Sequence, residues 1–222
     1  MKSIRVLAVA SEIFPLIKTG GLADVVGALP IALRAEQVDT STLVPGYPAV
    51  LDSLRGAATV FECPLFFGGK ARLLKGTHDE LDLFVLDSPH LFGRSGNPYL
   101  SPEGTDWPDN GTRFAALSGM AADIGAGAVS TFVPDVVHAH DWQAGLTPAY
   151  LRYGHRRMPG TVMTVHNMGY QGKFPRENVE PIRSAGGGIH DRRGRILWRN
   201  RFPESGSTAG GSHNYRLADL CQ

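Results

Sequence analysis

Cysteine is scarce in this chain. There are two in 222 residues, Cys63 and Cys221, far apart and without ligand partners at metal spacing. That excludes a disulfide framework and a zinc site as the organising device. Neither sign of charge dominates either, with 22 Lys+Arg against 21 Asp+Glu and a formal net charge of +1. Such a balance gives no support to a nucleic-acid partner held by counterion release. Long apolar runs are also missing. The stretch "MKSIRVLAVASEIFPLIKTGG" is too short and too interrupted to span a bilayer, and no small-residue cleavage site follows its basic start. The expectation is a cytoplasmic chain with no membrane partner. Two phosphate fingerprints are absent as well. No G-x-G-x-x-G follows the first apolar run, which counts against a nicotinamide oxidoreductase, and no G-x-x-x-x-G-K-S/T marks a P-loop.

What is present is enough for a sizeable core and one or two domains. Residues 4–10, "IRVLAVA", form a short β-branched run of the kind buried on both faces of a parallel sheet. After the turn "KTGG", the segment "LADVVGALPIALRAE" has helical spacing, with Pro30 expected to kink or break it. "TSTLVPGYP" reads as a second strand stopped by Pro45, Gly46 and Pro48. "ATVFECPLFF", "KARLLKG" and "LDLFVLDSP" read as three more strands joined by short connections, as hairpins on or beside the main sheet. Residues 88–109 make a loop rich in Pro, Gly, Ser and aromatics, long enough to be functional or disordered. From Asn110 a helical period returns, followed by the strand "PDVVHAH", a helix over "DWQAGLTPAYLRY" with Asp141 as its expected N-cap, and the strand "GTVMTVHN". Strands alternating with helices predict an α/β fold with a doubly wound, Rossmann-like parallel sheet.

In such a sheet ligands bind outside the carboxyl ends of the strands. Three predicted strands end on polar groups: Lys18-Thr19-Gly20-Gly21, His138-Ala139-His140-Asp141 and His166-Asn167. All three are expected on one rim. A glycine turn at a helix N-terminus beside a lysine suits a phosphate. An ordinary surface lysine fits the motif equally well. A histidine at the end of a buried strand is commonly structural, but two of them on different strands point toward a site. Trp142 reads as packing. Tyr99 in the long loop is either a stacking platform for a sugar or an aromatic folded back on the core.

The segments "SEIFPLIKTGGLADVVGALP", "LVPGYP", "SGNPYL", "DNGTRFAALS", "PDVVHAHDWQAGLTPAYLR" and "TVHNMGYQGKFP" together resemble bacterial glycogen synthases and plant starch synthases, in order and spacing. The resemblance implies the N-terminal half of a two-domain GT-B glycosyltransferase, over residues 1–181. It implies glucose transfer from ADP-glucose to the non-reducing end of an α-1,4-glucan such as glycogen, with retention and with neither metal nor cofactor. It places Lys18, Gly20, Gly21 and Asn167 on the donor, His140 beside the transferred glucose as the catalytic residue, and Asp24 and Tyr99 on the acceptor side. The family's second domain, with its adenine and ribose contacts, has no counterpart in the sequence. On that ground the chain is expected to be an inactive fragment, or alternatively an α-glucan-binding module without turnover.

Residues 182–222 differ in character, with seven Arg and no Lys, whereas residues 1–181 hold ten Arg and all five Lys. A basic tail and a disordered linker are two readings of such a segment. A third is preferred: suitable codons for "STAGGSHNYRLADLCQ", read one base later, give "LQLADHITTVSPTYA", which resembles the family's continuation. The segment is therefore expected to be an out-of-frame, disordered tail that starts near codon 181.

Overall fold

The computed structural model describes residues 3–155 and 157–174. In chain order its elements are β1 (Ile4–Val9), α1 (Gly21–Leu33), β2 (Val38–Pro45), α2 (Pro48–Ser53), β3 (Arg55–Phe66), β4 (Gly69–His78), β5 (Leu81–Asp87), α3 (Pro89–Phe92), α4 (Asn110–Ala126), β6 (Val136–His140), α5 (Thr147–Gly154) and β7 (Gly160–Thr164). The segment 182–222, expected above to be an out-of-frame tail, lies outside the described residues.

Seven strands form one mixed sheet in the order β3-β4-β5-β2-β1-β6-β7. The five strands from β5 to β7 are mutually parallel, while β3 and β4 extend the β5 edge as antiparallel hairpins. This matches the doubly wound expectation and puts the hairpins on the sheet itself. The parallel strands are the apolar ones because helices cover both faces: Leu83, Phe84, Val85 and Leu86 of β5 are all fully buried. Helices α4 and α5 pack on each other. Parallel crossovers are right-handed as a rule, and since β1 to β2 and β5 to β6 run in opposite directions across the sheet, that rule puts α1 and α4 on opposite faces.

Three local readings are corrected. Helix α1 is not broken at Pro30, which is buried: it runs on to Leu33 and into a 3-10 turn at Arg34–Glu36, with Gln37 left-handed (φ 59). Burying one face of α1 outweighs the single ladder bond that a proline removes. The Pro45-Gly46-Tyr47-Pro48 stop does end β2, but it also starts a helix. Pro48 occupies the first turn of α2, where its missing N–H costs nothing. Asp141 does not cap the following helix; its actual role belongs to the site below.

The long loop is ordered by one buried cation. Arg113 of α4 is among the largest fully buried side chains. Its guanidinium donates to Leu91 O and Pro98 O, both at 2.8 Å, and to Asn110 Oδ1 at 2.6 Å. It also lies over the rings of Phe92 and Phe114, each centroid 5.4 Å away. Asn110 in turn donates from Nδ2 to Tyr99 O at 2.9 Å. The planar fork serves these three acceptors from two separated nitrogens, a spread that the single nitrogen of an ammonium cannot match. Arg113→Lys is therefore expected to lower unfolding stability by about 3 kcal/mol, because carbonyls buried under the loop lose their donor. Urea unfolding, with limited proteolysis of the 93–109 segment, checks this; an unchanged midpoint and cleavage pattern would remove Arg113 from that role.

Candidate functional site

Along the parallel strands the chain steps from β1 outward through β2 to β5, then returns to the other side of β1 for β6 and β7. The order therefore reverses between β1 and β6, and it is outside the carboxyl ends of strands at such a reversal that open parallel sheets bind ligands. Val9 pairs with Ala139, so the residues that follow β1 and the end of β6 lie level with each other. The three polar strand ends expected on one rim belong to β1, β6 and β7, which are adjacent and parallel.

After β1 the chain doubles back through reciprocal Ile13 and Ile17 backbone bonds and enters α1 at Gly20. Lys18 Nζ lies 2.7 Å from both carboxylate oxygens of Asp24, one turn into α1. Both side chains are about half exposed, so the pair contributes roughly 0–1 kcal/mol. Lys18 is thus tethered loosely. Gly20 has an extended backbone (φ -149), and neither Gly20 nor Gly21 has a positive φ. A Cβ on either would meet nothing within 4 Å. Neither backbone strain nor crowding by the protein requires glycine here.

Strand alternation builds the histidine cluster. His138 and His140 are two apart on β6, and Thr164 and His166 are two apart at and just beyond the end of the neighbouring strand β7, so all four share one face. His138 Nε2 meets Thr164 Oγ1 at 2.7 Å, and His140 Nδ1 meets His166 Nε2 at 2.9 Å. The ring of His140 lies 4.0 Å from that of His138 and 5.2 Å from that of His166. His140 is 1 % exposed, whereas His166 is exposed. His140 Nε2 has no hydrogen-bond partner among the described residues. Burial, reinforced by the two neighbouring imidazoles, pushes the His140 pKa down to about 3. It is a neutral ring at physiological pH. Burial and His166 also push His138 down.

Asp141 holds the ends of β6 and β7 together. Its carboxylate accepts the backbone N–H of His166 at 2.6 Å and that of Asn167 at 3.4 Å, while its own N–H donates to Thr164 O at 2.9 Å. Its backbone sits at φ 56, ψ -177, a region almost reserved for glycine and worth about 1–3 kcal/mol of strain. A cap reading considers the residues that follow Asp141; its partners lie 25 and 26 positions along the chain. Asn167 turns its Oδ1 back to accept Gly169 N–H at 2.9 Å. Tyr99 takes the inward alternative. Its ring is 5.8 Å from Phe114 and its hydroxyl lies against Ser11 and Glu12. Trp142 packs edge-on to Phe114, centroids 5.1 Å apart. Sequence reasoning did not single out Glu12, a carboxylate only 2 % exposed beneath the lysine loop. Among the described residues no cluster of His, Cys, Asp and Glu is arranged to hold a metal, and no helix is long and apolar enough to cross a membrane.

The profile described as the starch synthase catalytic domain matches residues 5–191. The chain belongs to that family. It is 65% identical over 182 residues to glycogen synthase 2 of Bradyrhizobium diazoefficiens, covering 82% of this chain and 38% of that protein. It is 62% identical over 177 residues to a glycogen synthase of Rhodopseudomonas palustris, covering 80% and 36%. Among solved structures, the catalytic domain of starch synthase IV from Arabidopsis thaliana, bound to ADP and acarbose, superposes with a TM-score of 0.63 at 27% identity over 80% of this chain and 36% of that one. The chain thus spans somewhat over a third of the length of these relatives. In this starch synthase domain, then, the lysine loop and the histidine cluster occupy neighbouring strand ends at the sheet's reversal point.

The depressed histidines make folding pH-dependent in a definite direction. Unfolded, His140 takes up a proton near its ordinary value of about 6.5; folded, it does so only near 3. Between those values the unfolded chain binds more protons, so stability falls as pH drops through that window. Urea midpoints at pH 7.5 and pH 5.0 are expected to differ more for the native chain than for His140→Gln. Equal differences would show that His140 is not held neutral.

Proposed function

We propose that this chain forms one wall of a glucosyltransferase site that takes glucose from ADP-glucose and adds it, with retention, to the non-reducing end of an α-1,4-glucan. The observation that carries the reading is the Gly20-Gly21 pair. Two glycines with ordinary backbone angles and open space where their Cβ atoms would stand leave room for something other than protein. The pair sits at the reversal point of the sheet, beside Lys18, in a chain similar to a starch synthase IV catalytic domain that was solved with ADP and acarbose bound.

In this reading Lys18 faces the donor's diphosphate. As the glycosidic bond breaks, negative charge grows on the leaving phosphate, and a cation that meets it more strongly then than in the ground state lowers the barrier. To do so Lys18 exchanges Asp24 for phosphate, which frees the Asp24 carboxylate to accept sugar hydroxyls on the acceptor side. His140 acts at the transferred glucose together with the exposed His166 that it braces, and the neutral His140 ring polarises a hydroxyl by hydrogen bonding. Asn167 completes the donor side. Tyr99 serves the acceptor side from within, by shaping the loop that carries it. Glucan binding without turnover is the second reading, favoured by the Asp24 carboxylate that already holds Lys18 at 2.7 Å and weakens its hold on a diphosphate.

The test is a titration of the 222-residue chain with ADP-glucose and with maltoheptaose, followed by saturation-transfer NMR, alongside transfer of labelled glucose into glycogen. Binding of both ligands is expected, with more saturation at glucose protons than at adenine protons. Gly21→Ala is expected to leave stability unchanged or raise it by up to about 1 kcal/mol, and to weaken ADP-glucose binding about tenfold, a cost of about 1.4 kcal/mol. Undiminished affinity in that variant would remove the glycine pair from the donor site, and maltoheptaose binding without any transfer would leave the second reading.

A further inference from the structure

Among the described residues three large aromatic side chains are exposed, Phe14, Tyr153 and Tyr170. Tyr153 belongs to α5, whereas Phe14 and Tyr170 stand in the loops that follow β1 and β7, at the same end of the sheet as Lys18 and the histidine cluster. The backbone that carries Phe14 is pinned. Its N–H donates to Ala23 O of α1 at 3.0 Å. A Cβ on Gly27 would come within 2.6 Å of Phe14 O, so a glycine there is what lets α1 seat against this turn. Ile13 and Ile17 close the turn with reciprocal backbone bonds, and Ser11, Glu12 and Ile13, which lead into it, are all buried. Glu12 also accepts the Thr19 hydroxyl at 2.8 Å, which ties down the far side of the loop. Phe14 itself is 52 % exposed. The main chain is fixed to the core while the ring stands outside it.

The ring has polar neighbours. Lys18 Nζ lies 5.8 Å from its centroid and 2.7 Å from both Asp24 carboxylate oxygens, so an apolar face, a cation and a carboxylate form one cluster. A pyranose presents the complementary surfaces, because its axial C–H groups make an apolar face and its hydroxyls line the edge. The face of an aromatic ring is the negative end of its quadrupole, which C–H groups approach favourably, and a carboxylate accepts hydroxyls. That same negative face repels an anion, so a diphosphate gains nothing from Phe14. A rigidly mounted ring with two torsions also loses little conformational entropy when a ligand covers it. Tyr99 does not offer such a face, since its ring packs inward against Phe114 and its hydroxyl is held by Ser11 and Glu12.

We propose that Phe14 is a glucan-binding residue whose ring stacks on the apolar face of a glucosyl unit of the acceptor while Asp24 accepts that unit's hydroxyls. The proposal rests on the acceptor-side reading of Asp24. It divides the cluster between two ligands, with Lys18 serving the donor's phosphates and Phe14 and Asp24 serving the acceptor.

The test titrates the 222-residue native chain, Phe14→Leu and Phe14→Tyr with maltoheptaose and, separately, with ADP-glucose. Phe14→Leu keeps an apolar side chain and removes the aromatic face, and its maltoheptaose affinity is expected to fall about tenfold. Phe14→Tyr restores the face and is expected to stay within about twofold of native. ADP-glucose affinity is expected to change less than about twofold in either variant. Glucosyl C–H protons are expected to move upfield under the ring current in the native complex and not in Phe14→Leu. Undiminished maltoheptaose binding by Phe14→Leu overturns the proposal. So does a loss of ADP-glucose affinity in its place, which would make the ring a support for Lys18. A native chain that binds ADP-glucose but not maltoheptaose also overturns it and leaves the donor site standing, whereas a chain that binds neither removes the glucosyltransferase reading with it.

Discussion

The short parallel ladder between β1 and β6, from Val6 paired with Val136 to Val9 paired with Ala139, is the constraint on which the rest depends. It is the seam where the strand order reverses. Because both strands point the same way, the loops that follow them emerge at one end of the sheet, where open parallel sheets bind their ligands. The lysine loop leaves β1 and the histidine pair ends β6, so sequence segments more than a hundred residues apart become neighbours. Every functional statement about this chain is a statement about that end of the sheet.

Polar groups around it are anchored by long-range bonds to main chain. Asp141 binds the N–H groups that follow β7, Glu12 binds those that open α1, and Arg113 binds carbonyls of the 88–109 loop. Each is buried and multiply bonded, and each fixes a segment that has no regular ladder of its own. Backbone polar groups in such loops must be satisfied somehow, and charged side chains satisfy several at once with stronger bonds than neutral ones. The exposed members, Lys18, Asp24, His166 and Asn167, sit on these anchors and are freer to meet a ligand.

What could be read from the sequence divides along the same line. Strands β1 and β5 were legible because burial on both faces leaves a short apolar run in each, Val6–Val9 and Leu83–Leu86, and α4 because a helical period returns at Asn110; the left-handed φ of 100 at Gly127 then stops that helix. The shared rim followed from strand direction alone. Helix α2 was hidden inside a proline-rich stop signal, since Pro48 both ends an extended segment and begins a helix. Asp141 and Glu12 could not be assigned from neighbours in sequence, because what decides each role is a set of donors brought in by the fold. Tyr99 shows the limit most plainly: a loop aromatic has two physical options, and only the position of Glu12 and Phe114 selects the inward one.

The strain at Asp141 and the neutrality of His140 are two sides of one arrangement. For the Asp141 carboxylate to reach the N–H groups of His166 and Asn167, its backbone must turn into a region that a side chain disfavours. That turn draws the start of the β7 loop against β6, which brings His166 to 2.9 Å from His140. Packed between two other rings and out of water, His140 cannot hold a proton at neutral pH. One of the two facing nitrogens donates and the other accepts. Backbone strain is in this way exchanged for a hydrogen-bonded imidazole pair at the strand ends, and relaxing Asp141 would free His166 before it disturbed the sheet beneath.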